Sequence, residues 1–460
     1  MTQLTSGDAR AGSHGGAVLA VVAVGILLSS LDLFIVNVAL PSIAADFGAG
    51  ELSGLSWVLN AYAIVFAALL VPAGRLGDRS GNKAMFLTGL AVFLVGSGLC
   101  ATAGGVWPLV AFRAVQAVGG AMMIPSSLAL VLAATAAQRR PAAVRLWVAF
   151  GGLGAVLGPV FGGLLVELSW RWVFLVNLPI GVIALYIGVR MLPNPPGDAG
   201  TLPDIAGALL LIASTATVVT ALVKGNDWGW ASIDVVVLLG IAALSVPLMV
   251  AVSARRPNPV VDPALLRAPN FALMAVNAML FNAAFGGMIL TVALWMQTVW
   301  GWSALRTGLA IAPGPLLVPV VAILAGRLIA KVGAGVVIAV GGVAFAVGST
   351  WWAAAVELHA DYPGAILGGM LVTGLGVGLA LPSAFAAGTS GLPPLRFATG
   401  SAVLSMARQI GLALGVAVIV AVLGHPSNPA ATLDAFHQCW WVIAGISVAS
   451  SVVALGTKRA

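Results

Sequence analysis

Charged residues are scarce in this chain. Asp, Glu, Lys and Arg make up 8% of its 460 residues, against 60% hydrophobic residues and a mean hydropathy of +1.08. Soluble domains hold roughly 45–50% apolar residues, so a water-soluble globular protein is excluded. Cysteine is almost missing. Cys100 and Cys439 both lie in apolar runs; they cannot make a metal site on their own and read as small core residues. The histidines are His14, His359, His425 and His437, in the N-terminal tail, in loops or near the end of an apolar run. They supply no cluster within a membrane for a metal. No G-x-x-x-x-G-K-[ST] loop is present, so ATP is not a direct driver. Gly374-Leu375-Gly376-Val377-Gly378 sits inside an apolar run and is no dinucleotide fingerprint. These gaps point away from an enzyme and from any cofactor or metal. The net charge of +7 does not indicate nucleic acid. The basic residues stand singly or in small groups at the ends of apolar runs, as orientation signals do.

What the chain does have is length in apolar runs. A hydrocarbon core about 30 Å thick needs about 20 apolar residues per helix. Fourteen such spans are expected, near 17–40, 54–73, 84–104, 106–134, 143–166, 173–192, 204–223, 233–254, 271–299, 307–330, 334–356, 363–389, 399–424 and 436–456. The first carries an aspartate and lacks a small-residue cleavage site, so it reads as a span and not as a cleaved signal. With both termini in the cytoplasm, sixteen Lys and Arg fall in inner loops and tails and only Arg171, Lys224 and Arg306 outside. That asymmetry sets the orientation.

One charged stretch organises the rest. Gly74–Lys83 reads GRLGDRSGNK and is expected as a loop between spans 2 and 3. Ala73-Gly74-Arg75-Leu76 with Gly81 returns as Ala325-Gly326-Arg327-Leu328 with Gly333, and Gly119-Gly120 ahead of Pro125-Ser126 is echoed by Gly376 and Gly378 ahead of Pro382-Ser383. Internal repeats mark many transporters. The copies lie eight spans apart, which is six plus two. The expected all-α membrane fold therefore has two six-helix bundles, residues 1–203 and 255–460, with an inserted, lipid-facing helix pair at 204–254.

An ionisable group inside a span costs about 2.5–3.5 kcal/mol on insertion scales and is a functional candidate by default. Asp32 lies well inside span 1 and is a candidate proton carrier. Arg113, Gln116 and Gly120 share one face of span 4, and Arg113 needs a carboxylate; Asp32 is the one well inside a span. Direct or water-mediated approach of Arg113 and Gln116 to Asp32 is expected. In span 5, Gly154, Gly158 and Gly162 recur every fourth residue beside Pro159 and Gly163, which predicts a close helix crossing with a flexible point. Asn37, Asn60, Tyr62, Asn277, Asn282, Gln297 and Arg408 are candidates for a substrate cavity, each weighed against a role in helix packing. Asn177 is a further polar interruption. Trp295, Trp300, Trp302, Trp351, Trp352, Trp440 and Trp441 are expected as anchors at the membrane surface.

Together these stretches resemble the major facilitator superfamily. GRLGDRSGNK resembles its loop 2–3 signature, in which Gly74, Arg75, Asp78, Arg79, Gly81 and Lys83 would form a charge lock that biases conformation. FRAVQAVGG resembles the span 4 signature, whose arginine is implicated in proton transfer; Ala117 stands where that pattern has glycine. GLGAVLGPVFGG is similar to the span 5 antiporter signature of exporters. LDLFIVNVALP, WRWVFLVNLPIG and fourteen spans look like the drug:proton antiporter-2 branch. The second-half copy lacks the aspartate, because Ala330 aligns with Asp78. The resemblance implies a monomer in the cytoplasmic membrane that exports small amphipathic organic compounds, such as drugs and antibiotics, in exchange for protons. Its partners would be substrate, protons and the lipid bilayer. Dications look less favoured than monocations or neutral lipophiles. The rival classes are a secondary importer of a small nutrient or organic anion, and a non-transporting receptor or assembly partner.

Overall fold

The computed structural model describes residues 6–48, 52–135, 140–194, 204–256, 259, 260, 262–390, 392 and 394–457. Its elements are α1 (Ser6–Phe47), α2 (Leu52–Ser80), α3 (Asn82–Ala101), α4 (Val106–Ala133), α5 (Arg140–Leu168), α6 (Trp172–Leu175), α7 (Asn177–Met191), α8 (Ile205–Trp228) and α9 (Ile233–Ser253), followed by α10 (Pro263–Leu266), α11 (Pro269–Leu294), α12 (Ala304–Ile311), α13 (Pro313–Val332), α14 (Ala334–Ala355), α15 (Gly368–Ser390), α16 (Pro394–Leu423) and α17 (Pro429–Leu455). Two π-helical segments, Trp295–Val299 and Tyr362–Leu367, extend α11 and lead into α15. No strand occurs among the described residues. In lipid a helix satisfies its own backbone, and runs of this length leave no other option.

Thirteen helical stretches among the described residues are long and apolar enough to cross a membrane. The protein is a multi-pass membrane protein. The expected span 143–166 falls in α5, 29 residues long, in which Leu157–Leu168 is a shorter apolar stretch. Span 10 is broken into α12 and α13 at Ala312, where Pro313 opens the second helix. Proline lacks the N–H that would continue the first.

The stretch 74–83 departs from the expected loop. Residues 74–80 are the last turns of α2, and the break is confined to Gly81, whose φ of 96° favours glycine. The second copy does the same: α13 runs to Val332 and stops at Gly333 with φ 91°. Nothing before these glycines interrupts backbone pairing, and charged side chains in a final turn are solvated without unwinding it.

The repeat is visible in packing as well as in spelling. A Cβ on Gly119 of α4 would lie 2.6 Å from the Gly89 carbonyl of α3, and one on Gly376 of α15 would lie 2.6 Å from the Gly341 carbonyl of α14. Both pairs of helices touch backbone to backbone. Likewise α5 packs on α1 and α16 on α11. The expected lipid-facing pair is only half that. α9 turns large apolar residues outward, among them Ile233 and Leu244, but α8 is wedged against α2 and α16. Asn226 donates to the Ala421 carbonyl at 2.6 Å, and Asp227 binds both Lys224 (2.7 Å) and His425 (2.8 Å).

The tryptophans also need correction. Trp351 and Trp441 are exposed, but Trp295, Trp352 and Trp440 are wholly buried and Trp302 nearly so. Trp295 packs edge-on against Phe436 and Trp440 at centroid distances of 5.0 and 5.7 Å. Trp352 donates to the Ile366 carbonyl at 3.0 Å. A tryptophan near a span end can face headgroups or a neighbouring helix, and residue type does not separate the two.

Candidate functional site

The glycine face of α5 fixes the position of α1. Cβ atoms on Gly154, Gly158 and Gly162 would come within 2.5, 2.7 and 2.8 Å of Ser30, Phe34 and Ile35. Any side chain at those positions would push α1 away, so the glycines hold the segment that carries Asp32. Gly96 of α3 plays the same part on the far side: a Cβ there would lie 2.7 Å from the backbone of Gln116.

Between these close approaches lies a buried polar cluster. Asp32, Arg113 and Gln116 all have zero exposure. Arg113 Nη1 donates to Asp32 Oδ2 as an ion pair and to Gln116 Oε1 at 2.7 Å. Gln116 Nε2 donates to Asp32 Oδ1 at 2.8 Å and to Ser97 Oγ at 3.3 Å. Arg113 Nε reaches the Val58 carbonyl at 3.2 Å, and its guanidinium lies 4.2 Å from the Tyr62 ring centroid. Asn177 donates to Ser97 Oγ at 2.9 Å, and Ser97 passes a bond of 2.8 Å to the Phe174 carbonyl. The pairing is direct, with no side chain or gap between carboxylate and guanidinium.

Physics says what such a cluster can do. Attraction within a buried ion pair offsets desolvation only when further hydrogen bonds satisfy both partners, which is the work of Gln116, the Val58 carbonyl and the Tyr62 ring. A proton on Asp32 would cancel the pair and return Arg113 to those remaining contacts. The site would then have two electrostatic states that differ by one proton. Arg113 Nη2 has no partner among the described residues.

The remaining candidates divide. Asn37 and Asn60 line a cavity of about 30 Å³, with Leu33, Phe34, Gly286 and Leu412 among its walls. That is room for about one water. Asn37 donates to the Leu33 carbonyl at 3.2 Å, whereas neither polar atom of the Asn60 side chain has a partner in the structure. Tyr62 belongs to the Arg113 cluster. Asn277 turns to α17 and donates to the carbonyl and hydroxyl of Ser450, both at 2.8 Å, away from the cavity. Asn282 donates to Ala278 of its own helix at 2.8 Å. Gln297 donates to the Val38 carbonyl at 3.1 Å and ties the end of α11 to α1. Arg408 borders a second, narrower space. In the charge-lock stretch, Asp78 and Arg79 are exposed, Arg75 and Lys83 are partly buried, and Gly74 sits under Pro125. Gly163 meets Ala304 and Leu305, and the Pro159 carbonyl meets Gly308, so the proline end of α5 abuts α12.

Sequence reasoning missed Ser97 and Ser29. Ser97 is one hydroxyl in a small-residue run, and nothing in its spacing marks it. Ser29 approaches the Tyr62 hydroxyl at 3.3 Å. Asn177 was visible as a polar interruption, but not as a neighbour of Ser97.

The sequence matches the Major Facilitator Superfamily over residues 22–416. The chain belongs to that superfamily. It is 33% identical over 404 residues to the multidrug resistance protein Stp of Mycobacterium tuberculosis, covering 87% of this chain and 74% of that protein. It is 34% identical over 404 residues to the cephamycin export protein CmcT of Amycolatopsis lactamdurans, covering 86% and 82%. A solved structure of a proton-dependent oligopeptide transporter superposes with a TM-score of 0.67 at 15% identity, covering 96% of this chain and 98% of that one. At that identity the likeness is one of fold.

Proposed function

We propose that this superfamily member is a proton-coupled antiporter, and not an enzyme, that exports amphipathic organic compounds by alternating access. The observation that carries the reading is the wholly buried Asp32–Arg113–Gln116 cluster, in a chain whose relatives are named for drug resistance and antibiotic export. Asp32 is the proton carrier, and Arg113 and Gln116 set how firmly it holds the proton. Residues 1–203 and 255–460 act as two rocking bundles around the Asn37–Asn60 cavity, with 204–254 as an inserted pair and fourteen spans in all. The termini lie in the cytoplasm, the membrane is the cytoplasmic one and the working unit is a monomer. On that orientation the contact of Pro159 and Gly163 with α12 closes the external face. The cavity must widen from about 30 Å³ before a drug can enter. Gly74, Arg75, Asp78, Arg79, Gly81 and Lys83 bias the opposite face.

Inverted membrane vesicles holding a preset acid-inside gradient test the coupling. Adding a panel of amphipathic drugs is expected to dissipate the gradient in wild type and not in Asp32→Asn. Equal dissipation in both would remove Asp32 from the coupling, and a gradient unmoved by every drug would refute proton-coupled export.

A further inference from the structure

The two halves hold their intramembrane cations differently. Arg113 in the first half is paired with Asp32. Arg408 is the fifteenth residue of the 30-residue α16 and has no such partner. Among the described residues no carboxylate forms an ion pair with it and no hydrogen bond reaches its guanidinium. Between Asp262 and Asp434 the sequence contains just two acids, Glu357 and Asp361, both in the connection after α14. Helices α11 to α16 therefore carry no carboxylate at all. Those of the other helices packed on α16 sit at helix ends: Asp78 on α2, Asp204 and Asp227 on α8, Asp434 on α17. At 1.5 Å per residue the midpoint of α16 is about 20 Å from either end.

Arg408 is exposed at the midpoint of a membrane-spanning helix, and it borders a crevice of about 10 Å³ between α11, α15 and α16 that must widen to admit a ligand. That space is walled by Met274, Ala278, Leu381, Phe385 and Leu404, all apolar. Two turns along the same face of α16, Ser401 is buried, and its hydroxyl has no hydrogen-bond partner. An uncompensated guanidinium, an idle hydroxyl and an apolar wall recognise one kind of group. An unpaired guanidinium at the middle of a membrane span calls for an anion, and the wall calls for a hydrophobic body.

We infer that Arg408 is the recognition residue for a carboxylate or equivalent acidic group of the transported compound, and that the preferred substrates are amphipathic organic anions. This rests on the antiporter reading and replaces the expectation of monocations or neutral lipophiles with anions. Exporting an anion while a proton enters moves positive charge inward on both legs. Transport is then driven by membrane potential as well as by the pH gradient.

Three probes with one skeleton separate the possibilities: anthracene carboxylate, its methyl ester and aminomethylanthracene. Binding is read by tryptophan quenching on the purified full-length protein, and transport in proteoliposomes with and without an imposed potential. Carboxylate is expected to bind about tenfold tighter than the ester, the scale of a charge-assisted hydrogen bond. Arg408→Gln is expected to abolish that preference and Arg408→Lys to keep part of it. Carboxylate export is expected to accelerate under a potential negative on the side it leaves. Tighter binding of the amine or ester, or an unchanged preference in Arg408→Gln, would overturn the inference. Proton-coupled movement of ester or amine without carboxylate would overturn it while leaving the antiporter intact. Binding of carboxylate with no proton-coupled movement of any probe would support the anion site and refute the antiporter.

Discussion

Arg113→Ala is expected to cost about 3–5 kcal/mol of stability, because it strands the buried Asp32 carboxylate without its partner. The structure gives that carboxylate Gln116 Nε2 as its other donor, at 2.8 Å, which is too little for an ion out of water. The double variant Asp32→Asn/Arg113→Ala is expected to recover much of the loss, since a neutral amide carries no stranded charge. Unfolding of the purified protein in detergent, followed by circular dichroism, measures both. If single and double variants were equally unstable, the attraction between the pair would not be what holds the cluster. Arg113→Lys is no conservative change here. One ammonium cannot serve Asp32, Gln116 and the Val58 carbonyl with the geometry of a planar fork.

Gly308→Leu is expected to open the contact between α5 and α12. A Cβ on Gly308 falls against the Pro159 carbonyl, and the helix has no room to receive it. Overpacking costs about 1–3 kcal/mol. Spent against one conformation, that shifts its population by about 5- to 150-fold. A cysteine in place of Leu305 reports on the crossing, since Cys100 and Cys439 are buried. Labelling by a membrane-impermeant maleimide is expected to rise when Gly308→Leu is added. Unchanged labelling together with an unchanged melting temperature would mean that the crossing is not closed in the resting protein.

Much of this was legible in the residues because a membrane narrows the choices. Apolar length forces helices, so the spans follow from hydropathy, and a cation in a span needs an anion, so Arg113 points to Asp32 in the sequence alone. The repeat at Gly74 and Gly326 anticipated the matched backbone contacts at Gly119 and Gly376. What escaped depends on which way a side chain turns. Asn37 and Asn277 read alike as polar interruptions, yet one lines the cavity and the other bonds to Ser450. Trp351 and Trp352 are adjacent, and one is exposed while the other is buried. Helical rotation separates such neighbours by about 100°. Composition carries no record of which neighbour is there to meet them. The inserted pair shows the same limit: apolar content made both helices suit lipid, but α8 found a partner in α16.

Proton release on substrate binding tests the central claim most directly. Purified wild-type protein in lightly buffered detergent would be mixed with a transported compound while pH is recorded, across a series of starting pH values. If Asp32 carries the exchanged proton, wild type will release protons in proportion to compound bound, and Asp32→Asn will bind the compound and release none. Equal release from both proteins would contradict the account and place the coupled proton on another group.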